Sequence, residues 1–351
     1  MRSHFSTLML ALYGAAALAL SACAAPTQTS PTAAPQKPPA QPEQPAAADK
    51  VTLILDWTPN TNHTGIYVAL DKGWYRDEGI ELSIQQPGTT LLPAQIVAEG
   101  RAQFGISSQE QLVLDRGQGL PIVSIAAIIQ HNTSGFAAPA EAKLERPADL
   151  VGKRYGAFGA PFEKPFLEAL LACDGVEKAS EQIEFVQLGP SSDYRAMLGR
   201  EIDFAWIFYG WDGVAAELEG KPYRMLMLSD YTACVPDYYT PLIFTSEKLI
   251  NDNPDLVRRF MRATARGYQF AIAQPEEAAE ILLKSVPELQ PTAETVKASA
   301  RWLAPRYQAE SQRWGEQQVD VWRNFIEFAQ KAGIVQQALD PAQAFTTAFL
   351  P

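Results

Sequence analysis

From Val51 onward, short apolar runs alternate with stretches whose apolar residues recur at three- and four-residue spacing, and few architectures accept that order. "VTLILD" reads as a strand and "GIYVALDKGWY" as a helix closed by a glycine turn. "IELSIQQ", "AQFGIS" and "IVSIAAIIQ" read as further strands, with "TLLPAQIVAEG" and "QEQLVLDRGQG" as the helices between them. Repetition of this kind predicts a largely parallel sheet covered on both faces. The pattern pauses at Pro139 and Pro147, then restarts: "KRYGAF", a helix over roughly Glu163 to Leu171, "IEFVQL", a helix around Tyr194 to Leu198, "IDFAWI", a helix through Trp211 to Leu218, and "YRMLML". "GRAQFGIS" and "GREIDFAW" echo each other faintly, as two similar α/β halves would. "YYTPLIFTSE" supplies one more strand. From Asn253 the period is helical, with Pro254 and Pro275 at helix starts.

The expected fold class is therefore α/β, in two lobes with a helical C-terminal region. The first lobe takes residues 51–139 and 240–351, and the second takes 140–239. A chain of 351 residues with 47% hydrophobic composition can fill two such cores. Crossing twice between lobes makes a hinge and a central cleft. Ligands of parallel α/β sheets bind past the carboxyl ends of the strands, so the loops after the strands are the candidate site.

The first 22 residues read as a signal peptide: Arg2 and His4, an apolar run from Leu8 to Leu20, then "LSAC" ending at Cys23. Small residues before a cysteine resemble a bacterial lipoprotein processing site, which implies cleavage before Cys23 and a lipid on its thiol. Residues 23–50, rich in Ala, Pro, Gln and Thr with no large apolar side chain, read as a disordered tether. The expected location is the outer face of the cytoplasmic membrane. Cys173 and Cys234 read as two buried free thiols, with a bridge between them as the alternative. With three histidines in the chain and none at ligand spacing to a cysteine, no metal site is expected. The formal charge of −11 comes from 40 acidic against 29 basic residues with no Lys/Arg run, which argues against nucleic acid as a partner.

Several motifs are similar to the solute-binding proteins of bacterial ABC importers: "DWTPNTNHTGIYVALDKGWYRDEGIEL", "GISSQEQLVL", "IIQHNTSG", "DLVGKRYGAF" and "WIFYGWDGV", following the lipoprotein start. They resemble in particular the subgroup of thiamine-pyrimidine-precursor binding proteins and riboflavin-binding lipoproteins, over essentially all of residues 51 to 345. The resemblance implies a type II periplasmic-binding-protein fold, closure on a small molecule, and delivery to a membrane permease by a monomer that needs no cofactor.

The candidate ligand contacts lie at strand ends. Trp57, Asn60, Asn62, His63 and Thr64 follow the first strand, and Ser107, Ser108 and Gln109 the third, at a helix N-terminus. Gln130, Asn132, Thr133 and Ser134 follow the fourth. Phe158, Glu163, Trp206 and Tyr209 come from the second lobe, and Tyr238 and Tyr239 from the return crossing. Some have plainer roles open to them: Asn60, Asn62 and Thr64 as turn and cap residues, His63 as a satisfied turn histidine, Glu163 as a first-turn acid. Strand alternation puts Trp206 and Phe208 on one face and Ile207 and Tyr209 on the other.

Aromatic and neutral polar groups with few charges suit a flat uncharged heterocycle, because a phosphate or carboxylate ligand would call for an Arg or Lys clamp. The aromatics of both lobes point to riboflavin, with a formylated aminopyrimidine as the alternative. A remote third reading is enzymatic: a eukaryotic branch of the same superfamily makes the thiamine pyrimidine with its own histidine and a pyridoxal cofactor. The present chain lacks that branch's cysteine-rich stretch.

Overall fold

The computed structural model describes residues 47–88, 92–188 and 198–351. The signal peptide, Cys23 and most of the tether lie outside the described residues, as does nearly all of the helix expected around Tyr194 to Leu198. Two five-stranded sheets carry the fold. The first comprises β1 (Asp49–Ile54), β2 (Ile80–Gln85), β3 (Phe104–Ser107), β4 (Ile122–Ala127) and β10 (Leu242–Ser246), in the order β2-β1-β3-β10-β4. The second comprises β5 (Ser134–Pro139), β6 (Arg154–Ala157), β7 (Glu184–Gln187), β8 (Phe204–Phe208) and β9 (Tyr223–Met227), in the order β7-β6-β8-β5-β9.

The two orders are the same pattern. In each sheet four strands run in the same direction, and the strand arriving from the other lobe inserts antiparallel between the third and the last. The sequence echo sits at equivalent places: Phe104 opens β3 opposite Leu53, and Phe204 opens β8 opposite Tyr155. Both sheets are therefore largely parallel, as the sequence predicts, with one antiparallel strand each.

The first crossing moves. Ser134–Pro139 pairs with β8 and β9, so the chain leaves the first lobe at residues 128–133 rather than near 140. "SGFAAP" is short, carries Gly and Pro, and follows a polar run, so it lacks the period that marks the other strands.

The helices α1 (Thr64–Asp71), α2 (Pro93–Ala98), α3 (Gln109–Gly117) and α4 (Glu163–Ala172) follow strands β1, β2, β3 and β6. The tail forms α5 (Pro254–Ala273), α6 (Pro275–Ser285), α7 (Ala293–Leu303) and α8 (Val319–Lys331). Asn253 caps α5 by accepting from Leu256 N at 3.1 Å, and Pro254 occupies its first turn. The buried face of α5 packs on the first sheet, with Phe260 stacked on Phe104 at 3.7 Å between ring centres. α8 buries Trp322, Phe325, Ile326 and Ala329 at helical spacing. It reaches the second lobe and the return crossing, since Phe325 meets Phe166 of α4 and Tyr238.

Cys173 and Cys234 form a disulfide with Cα atoms 5.9 Å apart, which corrects the expectation of buried free thiols. Both are only partly buried, and the bond joins the end of α4 to the segment leading into the return crossing. Pairing across 61 residues depends on tertiary proximity that spacing alone does not reveal.

Candidate functional site

The turn after β1 is an internally satisfied unit. Asn60 caps a 3-10 turn, Thr61–His63, its Oδ1 accepting from Asn62 N at 2.9 Å. The backbone N–H of Asn60 donates to His63 Nδ1 at 3.2 Å, so that nitrogen carries no proton. The proton is therefore on Nε2, which donates to Asp56 Oδ1 at 2.8 Å. Thr64 Oγ1 donates to Thr61 O at 2.7 Å. Tyr268 and Tyr307 clamp the turn from the helical tail, donating to Asn62 O at 2.7 Å and Thr61 O at 2.6 Å. His63 is fully buried with both ring nitrogens engaged; Asn60, Asn62, His63 and Thr64 shape and brace the turn, and none of them is among the residues that line the cleft described next.

A cleft of about 340 Å³ lies past the strand ends of both lobes, within the range of small-molecule sites, about 300–1,000 Å³. The first lobe contributes Asp56 after β1, Leu92 and Pro93 at the start of α2, and Ser107 and Ser108 after β3. From α3 come Glu110, Gln111 and Asp115. The second lobe contributes Phe158, Phe162 and Glu163 around the start of α4, Trp206 and Phe208 from β8, and Thr240 comes from the return crossing. Phe158 and Phe208 are 40% and 37% exposed, unusual for such side chains at strand ends.

The structure thus brings Ser107, Ser108, Phe158, Glu163 and Trp206 together and takes other candidates elsewhere. Trp57, beside Asp56, is exposed and outside the lining. Gln109 points away and pairs with the Tyr239 backbone in both directions, at 3.1 and 2.9 Å. Gln130 ties the first crossing to the tail, donating to Glu316 O at 3.1 Å and accepting from Ser311 Oγ at 2.8 Å. Thr133 O accepts from Tyr209 N, and Asn132 Oδ1 accepts from Ser134 N and Oγ. Ser134 Oγ in turn accepts from Trp206 Nε1 at 2.8 Å, so Ser134 sets the wall without forming it. Tyr209 packs on Trp302 and donates to Glu217; Phe208, on the same strand face as Trp206, is the lining residue. Tyr238 is core against Phe325, and Tyr239 Oη accepts from Gln318 N at 2.9 Å.

The lining also corrects the expectation of few charges. No lysine or arginine lines the cleft, but Asp56, Glu110, Asp115 and Glu163 do. Glu163 is saturated: it accepts from Tyr155 Oη at 2.7 Å, Phe158 N at 3.0 Å and Ala160 N at 2.5 Å, and so fixes the loop that presents Phe158. Glu110 and Asp115 are 3% and 2% exposed. Burial pushes the Glu110 carboxyl up to about 7 and the Asp115 carboxyl, despite a hydrogen bond from Gln111, up to about 6. Sequence reading missed both acids, although Glu110 follows Ser107 by three residues in the first turn of a helix at a strand end. Among the described residues no cluster of His, Cys, Asp and Glu could hold a metal ion, and no helix is long and apolar enough to cross a membrane.

The raised acids give a signed prediction. The folded chain keeps protons that the unfolded chain releases, between about pH 4 and pH 7, so these groups lose stability as pH rises through that window. Melting of the ligand-free protein from about pH 5 to about pH 8 should fall more steeply than that of Glu110→Gln. Parallel curves would contradict it. The crossings themselves are tied by His131, which holds Asp237 at 2.5 Å and Glu310 at 3.0 Å and is raised to about 9, first by the Asp237 hydrogen bond.

Two α/β lobes of matching topology, joined by two crossings and enclosing a cleft past their strand ends, make up the type II periplasmic-binding-protein fold. The chain belongs to the NMT1/THI5-like family, whose model matches residues 60–278. It is 30% identical to the riboflavin-binding protein RibY of Chloroflexus aurantiacus, over 95% of each chain. It is 26% identical to the formylaminopyrimidine-binding protein of Halalkalibacterium halodurans, over 86% of this chain and 91% of that one. It is also 27% identical to a 4-amino-5-hydroxymethyl-2-methylpyrimidine phosphate synthase of Legionella pneumophila, over 86% of this chain and 92% of that one. The alkanesulfonate-binding protein SsuA of Xanthomonas axonopodis pv. citri shares the fold, with a TM-score of 0.64, 13% identity, and coverage of 86% and 99%.

Proposed function

We propose that this chain captures a flat, uncharged aromatic vitamin outside the cytoplasmic membrane and hands it to an ABC permease, with riboflavin as its ligand. It is the solute-binding component of an importer, and a lipid on Cys23 tethers it, as a monomer, through residues 24–50. The observation that carries the ligand reading is the wall of Phe158, Phe162, Trp206 and Phe208 facing Leu92 and Pro93, with no basic side chain among the lining residues. Such a wall accommodates several fused rings and rejects phosphate. The Cys173–Cys234 bond accords with an oxidising compartment outside the cytoplasm. Ligand contacts to both lobes would shift the population of open and closed states toward closed.

One observation favours a second ligand: the lining holds acids and no base, which suits the amino group of a formylated aminopyrimidine. Capture rather than catalysis is supported by His63, whose buried ring braces the turn with both nitrogens engaged.

The test is competition between riboflavin and its 5′-phosphate. Riboflavin should bind at least about tenfold more tightly, because the phosphate meets acids and no base. Equal or tighter binding of the phosphate would overturn the reading. Trp57→Ala should leave stability within about 0.5 kcal/mol, since the residue is 49% exposed, while weakening riboflavin binding beside Asp56, its neighbour in sequence, which does line the cleft. A large fall in Tm with affinity retained would make Trp57 a packing residue instead.

A further inference from the structure

We infer that Ser299 is a positioning residue for ligand capture: it locks the turn after β8 onto α7, and this joint holds the two walls of the cleft in register. The inference deepens the proposed function, on which its affinity readout rests, while the joint itself can be measured without any ligand.

Tyr209–Gly213 forms a single turn at the end of β8, directly after the wall residue Phe208. It docks on α7, which belongs with the first sheet: Val296 and Ala300 of α7 cluster with Leu282 of α6 and with Tyr67 of α1, the helix that follows β1. The contact therefore runs between the lobes, outside both crossings. Trp211 packs against that cluster, and Tyr209 lies on Trp302 with ring centres 5.1 Å apart. Gly210 comes so close that a Cβ there would stand 3.0 Å from Leu303 Cδ2 and 3.1 Å from Trp302 Cζ3. The approach brings the Gly210 carbonyl to the fully buried Ser299, whose hydroxyl donates to it. With the one proton of Ser299 spent there, Thr61 Oγ1 donates to Ser299 Oγ at 2.6 Å. Thr61 sits in the turn braced by His63, which also holds the lining residue Asp56.

Ser299 thus links the segment after β1 that carries Asp56 to the segment after β8 that carries Phe208, without lining the cleft itself. One buried hydrogen bond and two half-buried rings are little beside the cores on either side, so the lobes can part here without unfolding. A ligand that touches both walls favours the joined arrangement.

The test uses the chain from residue 24 with spin labels on Glu81→Cys of β2 and Glu184→Cys of β7, both exposed and one in each sheet, with and without Ser299→Ala or Trp211→Ala. Distances between the lobes are read by pulsed electron resonance, affinity for riboflavin and formylaminopyrimidine by calorimetry, and folding by Tm. Without ligand, each variant should move the equilibrium between the joined distance and longer distances at least about fivefold toward the longer ones, the worth of one buried hydrogen bond. For whichever vitamin the unchanged protein binds, affinity should fall by the same factor as the joined population, because only that population is competent. Unchanged distances in Ser299→Ala would overturn the inference. A lowered Tm with affinity retained in the folded fraction would also overturn it, since ordinary packing gives that result. If Ser299→Ala does not fold, Trp211→Ala, whose residue is half-buried, decides by the same comparison. Binding of neither vitamin would sink the functional reading, and the distances then decide the joint alone.

Discussion

A Gly267→Ala variant is expected not to reach the native fold. A Cβ at residue 267 would stand 1.8 Å from the carbonyl oxygen of Gly65 and 3.1 Å from the Cβ of Ala69. Both clashes involve α1, and the first is with backbone, which cannot swing away as a side chain can. α5 and α1 would have to separate. That would break the Tyr268–Asn62 hydrogen bond and disturb the stack of Tyr268 on Trp314 at 4.2 Å, together with the packing of Phe260 on Phe104. Overpacking of this severity costs upward of about 4 kcal/mol, a large share of the 5–15 kcal/mol typical of a whole domain. Circular dichroism and thermal melting check it: a cooperative melt within a few degrees of the unchanged protein would show that the helices do not meet as closely as described. The site would suffer with the fold, because the same contact holds the clamp on the Asn60–His63 turn.

The second large effect falls on binding. Replacing Phe158 and Phe208 together by alanine should lower riboflavin affinity by roughly 100-fold, about 1–1.5 kcal/mol for each ring face lost. Both rings are substantially exposed without ligand, so the melt should barely move. Trp206→Ala is the informative contrast. Its ring lines the cleft but also packs on Phe136 and Phe166 at 5.3 and 5.0 Å and donates to Ser134, so both stability and affinity should fall. Calorimetry and melting curves on the same preparations separate the two patterns. Retained affinity in the double variant would show that the rings are not a ligand wall.

The two-lobed α/β plan was legible because β1 to β4 and β6 to β9 carry enough β-branched and apolar residues to show their period. The echo around Phe104 and Phe204 marked equivalent strands. What stayed hidden was set by distant neighbours. β5 pairs with strands about 70 to 90 residues onward, and nothing in "SGFAAP" announces that. The polar turn after β1 reads two ways for a chemical reason: the groups that would hold a ligand edge are the same groups that cap a turn, and Asn60, His63 and Asp56 spend hydrogen bonds within the turn. Glu110 and Asp115 were invisible as lining residues because a surface acid and a buried one are the same letter. Phe208 was within reach, since alternation from Trp206 puts it on the same face.

The central claim is that this cleft closes on an uncharged aromatic vitamin. It is tested most directly by titrating the chain from residue 24 with riboflavin at neutral pH while following flavin and tryptophan fluorescence, with formylaminopyrimidine in a parallel titration. Saturable quenching by riboflavin at one equivalent and micromolar or lower concentration is the predicted result. Saturation by the aminopyrimidine alone would move the assignment to the second ligand, and no saturable response to either would contradict the account.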